Sequence, residues 1–213
     1  MINLTDILKG NLVAEHIKEK IRLDVEELLK ENKVPTLAIV RLGNNPGDIS
    51  YEKSIVKNCE SVGIKAKVIE KDEKISTEEL SDLLEELNED NSISGILVFR
   101  PLPNHIDEEV IRNKISPKKD VDCMHPLNLE KIFEGDMSGF APCTPKAAME
   151  VLKYYNIPVE GKKVVVVNRS MVVGKPLAMM LLKENATVTV CHSKTKDLHK
   201  ITNDADIVVV ALG

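Results

Sequence analysis

The sequence predicts an α/β fold, arranged as two α/β domains with a cleft between them. Three observations carry that reading. Val/Ile-rich runs alternate with amphipathic stretches along the chain, as strands and helices do in α/β architectures. The runs are nearly continuous in apolar residues, which suits parallel strands covered on both faces. The alternation is interrupted at residues 115–147, where Pro, Gly, Asp and Lys gather without a long period. That interruption reads as a cleft-lining connection, so residues 1–142 are taken as one domain and 143–213 as the other.

The elements follow in order. TLAIVRLG (36–43) is the first predicted strand, and DISYEKSIVKNC (48–59) lies in a helix. At about 100° per residue, Tyr51, Ile55, Cys59 and Val62 form one apolar stripe, and Lys53 and Lys57 face elsewhere. KAKVIEK (65–71) is a second strand. Leu80, Leu83, Leu84 and Leu87 have the spacing of a helix face, with Ser76 and Glu79 as a capping box at its start. GILVFRPL (95–102) is a third strand. In the second domain KKVVVVNR (162–169), ATVTVCHS (186–193) and DIVVVALG (206–213) are strands. A dinucleotide-binding sheet normally continues further, so this domain reads as C-terminally truncated.

Composition narrows the function. Apolar residues make up 43% of the 213, but aromatics only 3%, so the core rests on Ile, Val, Leu and Ala. A net charge of −5 argues against nucleic-acid binding, which usually shows a basic patch. No run approaches the ~20 apolar residues of a membrane span, and the first residues lack a signal-peptide pattern. The four cysteines form no C-x-x-C pair. They read as reduced thiols of a cytoplasmic protein, with no metal framework.

The run VVVVNRSMVVGKPLAMMLLKENATVTVCHSKT is the most informative. A buried strand leads through a turn to Gly174, Pro176 and an apolar helix. Pro is tolerated at a helix start, and the helix N-terminus offers N–H groups to a phosphate. Asn168 and Ser170 stand where the first two glycines of the usual G-x-G-x-x-G would be. The context is that of a Rossmann-like domain. An NAD-selecting site places an acid at the end of the next strand. Here that segment is Cys191-His192-Ser193-Lys194-Thr195. With Arg169 in the first turn, it favours the 2′-phosphate of NADP over NAD. The cofactor-binding candidates are Asn168, Arg169, Ser170, Gly174, His192, Ser193, Lys194 and Thr195. Arg169 and Lys194 can equally be read as solvated surface charges, and His192 as a structural residue.

In the first domain, Pro101-Leu102-Pro103 and the loop KKDVDCMHPLN follow strands, where ligands of open α/β sheets bind. A carboxylate there suits an aminopyrimidine ring, because it accepts two parallel N–H bonds. Asp120 reads as a turn or cap residue and His125 as a loop hydrogen-bonder. Asp122 is open between a ligand role and a turn role.

Together these segments resemble the bifunctional methylenetetrahydrofolate dehydrogenase/methenyltetrahydrofolate cyclohydrolase family. The matching pieces are the Tyr51 helix ending in VGI, GILV–RPLP, KDVD–HPLN, PCTP, NRSMVVGKPLA and ATVTVCHSKT, in the family's order over nearly the whole chain. The resemblance implies a folate site on the first domain, a dinucleotide site on the second, and a homodimer. It implies hydride transfer from methylenetetrahydrofolate to NAD(P)+. Tyr51 matches the tyrosine that stacks on the folate, and Asp122 the aspartate that holds the pterin. Pro101, Leu102 and Pro103 match the loop beside the substrate. Arg169 and Ser193 match positions that meet the 2′-phosphate, and Gly174 the glycine at the dinucleotide helix.

The chain departs from the family at chosen places. The usual catalytic lysine, four residues after the tyrosine, aligns with Ile55, and its glutamine partner with Phe99. The glycine before Arg-Ser is Asn168, and the Gly-Phe after Asp122 is Cys123-Met124. The family's C-terminal part has no counterpart here. Hydride transfer depends mainly on orientation, but hydrolysis of the methenyl cation needs general acid–base work, which isoleucine cannot do. The expectation is an NADP-dependent dehydrogenase with weak or absent cyclohydrolase activity. The alternatives are a bifunctional enzyme using another base such as Lys57, or a non-catalytic folate- or nucleotide-binding relative.

Overall fold

The computed structural model describes residues 6–212. The chain divides into two compact units, one of Glu15–Asn128, the other of Met1–Ala14 with Leu129–Gly213. After helix α1 (Gly10–Lys30), the Glu15–Asn128 unit runs β1 (Thr36–Leu42), α2 (Pro46–Glu60), β2 (Lys65–Lys71), α3 (Thr77–Glu89), β3 (Gly95–Val98) and α4 (Glu108–Lys114). Helix α5 (Pro126–Glu134) leads on to α6 (Cys143–Tyr154), β4 (Lys163–Val167), α7 (Gly174–Lys183), β5 (Thr187–Cys191), α8 (Leu198–Asn203) and β6 (Ile207–Val210).

Each unit holds a three-stranded sheet, ordered β2-β1-β3 in one and β5-β4-β6 in the other, with every pairing parallel. In each the first strand is central, and successive strands are laid on opposite sides of it. A crevice therefore opens past the carboxyl ends of β1 and β3, and of β4 and β6, where ligands of such sheets bind.

Coverage on both faces holds for the central strands. Ala38, Ile39 and Val40 of β1 are fully buried, as are Val164 to Val167 of β4 to within a few per cent. It does not hold for β2, whose residues are exposed or half-buried, nor for β6, where exposure alternates. Among the described residues both are edge strands, with a neighbour on one side only. The lysines of β2 are the kind of residue that discourages a further strand from adding to an open edge. Beneath the first sheet, Leu80, Leu84 and Leu87 of α3 pack with Val40, Ile96 and Val98, and the Ser76–Glu79 capping box is formed. In the other unit Leu177 and Leu181 of α7 pack on Val164 and Val166.

Strand β2 has its expected bounds, and the other five strands are shorter than expected. β3 stops at Val98, since its run enters a loop at Pro101, which has no N–H to offer a ladder. The predicted strand ending at residue 213 stops at Val210, and Gly213 lies outside the described residues. The connection at 115–147 is not wholly irregular: it contains all of α5 and the start of α6. Pro126 disguised α5, although Pro is well suited to a helix's first residue.

One buried charge cluster went unnoticed in the sequence. Arg41, at the end of β1, is only 3% exposed. Its Nε donates to Glu52 Oε2 of α2 at 2.7 Å and its Nη2 to Glu70 Oε2 of β2 at 2.9 Å. Its Nη1 donates to the Gly43 carbonyl. The Glu52 hydrogen bond leads in raising the Arg41 pKa. This cluster fastens α2, and so Tyr51 beside Glu52, to the sheet.

Glu52→Ala leaves the Arg41 guanidinium buried without its nearest carboxylate, and should lower unfolding stability by about 3 kcal/mol. Arg41→Met combined with Glu52→Leu replaces the pair by apolar groups and should lose less than Glu52→Ala alone. Urea denaturation of the three variants checks both statements.

Candidate functional site

In the Glu15–Asn128 unit the candidate residues gather at the crevice past β1 and β3. The N–H of Phe99 donates to the Val40 carbonyl at 3.0 Å, so Phe99 prolongs the β1–β3 ladder. Asn45 caps α2 by accepting from the Gly47 and Asp48 N–H groups. Tyr51, in the second turn of that helix, lays its ring over Phe99, with centroids 5.3 Å apart and planes tilted by 35°. Phe99 is buried, but Tyr51 remains 57% exposed, so the tyrosine keeps ring surface for a ligand. Ile55 is half-buried one turn on, and Lys53 and Lys57 are exposed. Of the predicted stripe, Val62 is buried, Ile55 and Cys59 are half-buried, and Tyr51 is exposed.

The two aspartates separate cleanly. Asp120 is 1% exposed and bridges to Ile96 of β3. Its Oδ1 accepts from the Met124 N–H at 2.9 Å, and its Oδ2 from the His125 N–H at 2.8 Å and Asn128 Nδ2 at 2.9 Å. It is thus the loop-fixing residue expected of it. His125 Nδ1 accepts from the Leu127 N–H at 3.0 Å, also as a loop hydrogen-bonder. Asp122 points otherwise: its Oδ2 meets Arg100 Nη2 at 3.2 Å. Sequence reasoning assigned Arg100 no role, although an Arg immediately before Pro-Leu-Pro was a usable signal. Pro101 is exposed, Pro103 half-buried and Leu102 buried; Leu102 belongs to the core. Cys123 has φ 56°, a left-handed conformation that costs an ordinary residue about 1–2 kcal/mol.

In the other unit, Val167 of β4 pairs with Cys191 of β5, so the turns at 168–170 and 192–195 leave neighbouring strand ends. Asn168 Oδ1 accepts from the Ser170 N–H at 2.7 Å and the Gly174 N–H at 3.0 Å, and Ser170 Oγ accepts from the Val173 N–H. The first N–H groups of α7 are thus already taken within its own turn, Gly174's by the Asn168 side chain and Lys175's by the Ser170 carbonyl, where backbone N–H groups open to a phosphate were expected. A Cβ on Gly174 would collide with the Asn168 carbonyl and lie 2.7 Å from the Arg169 nitrogen, so only glycine fits. His192 Nδ1 accepts from the Lys194 N–H, and its own N–H donates to Thr195 Oγ1, a structural role. Arg169, Ser170, Ser193 and Lys194 are exposed on these turns. Among the described residues no group of three or more His, Cys, Asp or Glu could hold a metal.

A parallel sheet with its first strand central, followed by a glycine-dependent turn into an apolar helix, defines a dinucleotide-binding α/β unit. Comparison with known proteins makes this specific. Residues 8–122 match the family model "Tetrahydrofolate dehydrogenase/cyclohydrolase, catalytic domain", and residues 142–213 its "NAD(P)-binding domain". The chain is 58% identical over 210 residues to the bifunctional protein FolD of Clostridium botulinum, covering 99% of this chain and 74% of that one. It superposes on the FolD dehydrogenase/cyclohydrolase of Campylobacter jejuni with a TM-score of 0.95 at 43% identity, covering 98% and 74%. The Trypanosoma brucei enzyme, solved with NADP and an inhibitor, gives a TM-score of 0.93 at 32% identity, covering 100% and 73%. The chain belongs to the tetrahydrofolate dehydrogenase/cyclohydrolase family.

Two outcomes follow from this geometry. Gly174→Ala should destabilise the protein by about 1–3 kcal/mol, read as a lowered urea midpoint. The second concerns His125. Burial, the leading cause, lowers its pKa from 6.5, and a protonated Nδ1 would face the Leu127 N–H with a second hydrogen. The unfolded state therefore binds the proton more tightly, and stability falls as pH drops below about 6.5. His125→Asn should remove that part of the pH dependence in denaturation curves measured at about pH 7 and pH 5.

Proposed function

We propose that the protein is an NADP-dependent methylenetetrahydrofolate dehydrogenase with weak or absent cyclohydrolase activity. Residues 1–142 serve as the folate-binding catalytic domain and 143–213 as the dinucleotide domain. In this reading Tyr51 stacks on the pterin, Asp122 receives its aminopyrimidine N–H groups, and Arg100 steadies that carboxylate. Pro101, Leu102 and Pro103 shape the adjoining loop. Arg169 and Ser193, with Lys194, meet the 2′-phosphate, and Gly174 permits the close turn beside the cofactor. The NADP bound by the Trypanosoma brucei relative supports the cofactor, with NAD as the alternative. A cytoplasmic homodimer is the assembly proposed; among the described residues no helix is long and apolar enough to cross a membrane.

The observation that carries the reading is the Tyr51–Phe99 ring contact with Ile55 one turn on. Hydride transfer asks the protein for orientation and distance, which the ring platform and Asp122 supply. Activating water and moving protons for hydrolysis needs a titratable group. By the resemblance, the positions of the family's lysine and glutamine fall to Ile55 and Phe99. A second reading rests on relatives such as the bifunctional FolD of Clostridium botulinum: both activities are retained, with Lys57 or another group as base.

Paired assays decide between them. The protein should reduce NADP+ with methylenetetrahydrofolate and hydrolyse methenyltetrahydrofolate no faster than buffer. Efficient hydrolysis that Lys57→Ala removes would establish the second reading. Ile55→Lys with Phe99→Gln should gain hydrolysis, by up to about 10²-fold if the lysine is correctly placed.

A further inference from the structure

We propose that Asn168 is a positioning residue for the dinucleotide, acting by locking the turn that carries Arg169; the inference rests on the NADP reading above. Asn168 follows β4 at the point where β5 and β6 diverge from it, and its side chain makes three hydrogen bonds. Oδ1 accepts from the N–H groups of Ser170 and Gly174. Nδ2 donates to the carbonyl of Ala211, just past β6, at 2.6 Å. Two N–H donors on one side and a carbonyl on the other fix the amide's orientation. The turn is thereby tied to the first residue of α7 and, 43 residues away in sequence, to the end of β6.

A glycine at this position could make none of these bonds and would add backbone freedom. A turn ordered before the ligand arrives loses less entropy on binding. One effect opposes this: Asn168 Oδ1 occupies an N–H at the N-terminus of α7 that a phosphate could use. A neutral amide oxygen holds that N–H less strongly than an ionised phosphate does, so the ligand can still take it. The bond to Ala211 does not compete with the ligand at all. Ordering therefore outweighs competition.

The test is a titration of wild type, Asn168→Gly and Asn168→Asp with NADPH and NADH, followed by the nucleotides' own fluorescence, with steady-state kinetics alongside. For Asn168→Gly the NADPH Kd and the NADP+ KM should rise about tenfold, as when the ordering of one or two flexible groups is deferred to the binding step, with kcat little changed. Preference for NADPH over NADH should shrink as Arg169 loosens. Asn168→Asp sets an acceptor against the Ala211 carbonyl and adds negative charge, and should bind more weakly still. Unchanged or tighter NADPH binding by Asn168→Gly overturns the inference. Should that variant not fold, unchanged binding by Asn168→Asp overturns it equally. If wild type binds neither nucleotide, the NADP reading and this inference fall together; if wild type and Asn168→Gly bind NADPH alike, only the inference does.

Discussion

The placement of the first strand at the centre of each sheet is the constraint from which the sites follow. Once β1 lies between β2 and β3, the connections leaving it must diverge, and the backbone past its carboxyl end is not covered by its own crossovers. In the Glu15–Asn128 unit that space receives Phe99, the Arg100–Asp122 pair and, from α2, Tyr51. In the other unit it receives Asn168 and the turns bearing Arg169 and Lys194. Chemistry-bearing residues far apart in sequence thus converge because of strand order, and the apolar runs hold that order in place by burying β1 and β4.

Polar groups within the fold do the fine placement. Asp120 gathers the backbone of its loop and the side chain of Asn128 onto one carboxylate, leaving Asp122, two residues on, to project beside Arg100. Arg41 fixes the helix that carries Tyr51. Neither Asp120 nor Arg41 is a candidate for touching a ligand. Each spends a buried charge on geometry, and such groups are retained only where every hydrogen bond is met.

Much of this was legible in the sequence, for definite physical reasons. Continuous Val/Ile runs announce parallel strands, so all six strands of the described residues were found. The leucine spacing and the Ser76–Glu79 box fixed α3. The loop hydrogen bonding of Asp120 and His125 followed from their loop positions. What was missed depends on tertiary neighbours. Nothing local marks Glu52 as the partner of a buried charge, because Arg41 lies in another element. The Asn45-Pro46 start of α2 was readable but unused, and Pro126 hid α5. Asn168 was placed among the cofactor-binding candidates at a glycine position, but its bond to Ala211 spans a sheet and had no local signal. Phe99 was recognised as a departure, but its contact with Tyr51 requires the register of β3 on β1.

The Tyr51–Phe99 platform also gives the protein an optical handle. The chain has three tyrosines and no tryptophan, so no indole is present to accept tyrosine excitation or mask its emission. Tyr154 and Tyr155 form an edge-on pair elsewhere, which leaves Tyr51 as the lone phenol of the Glu15–Asn128 unit. A conjugated ring stacked on its open face would quench that phenol directly, making occupancy of this half of the molecule visible without any label.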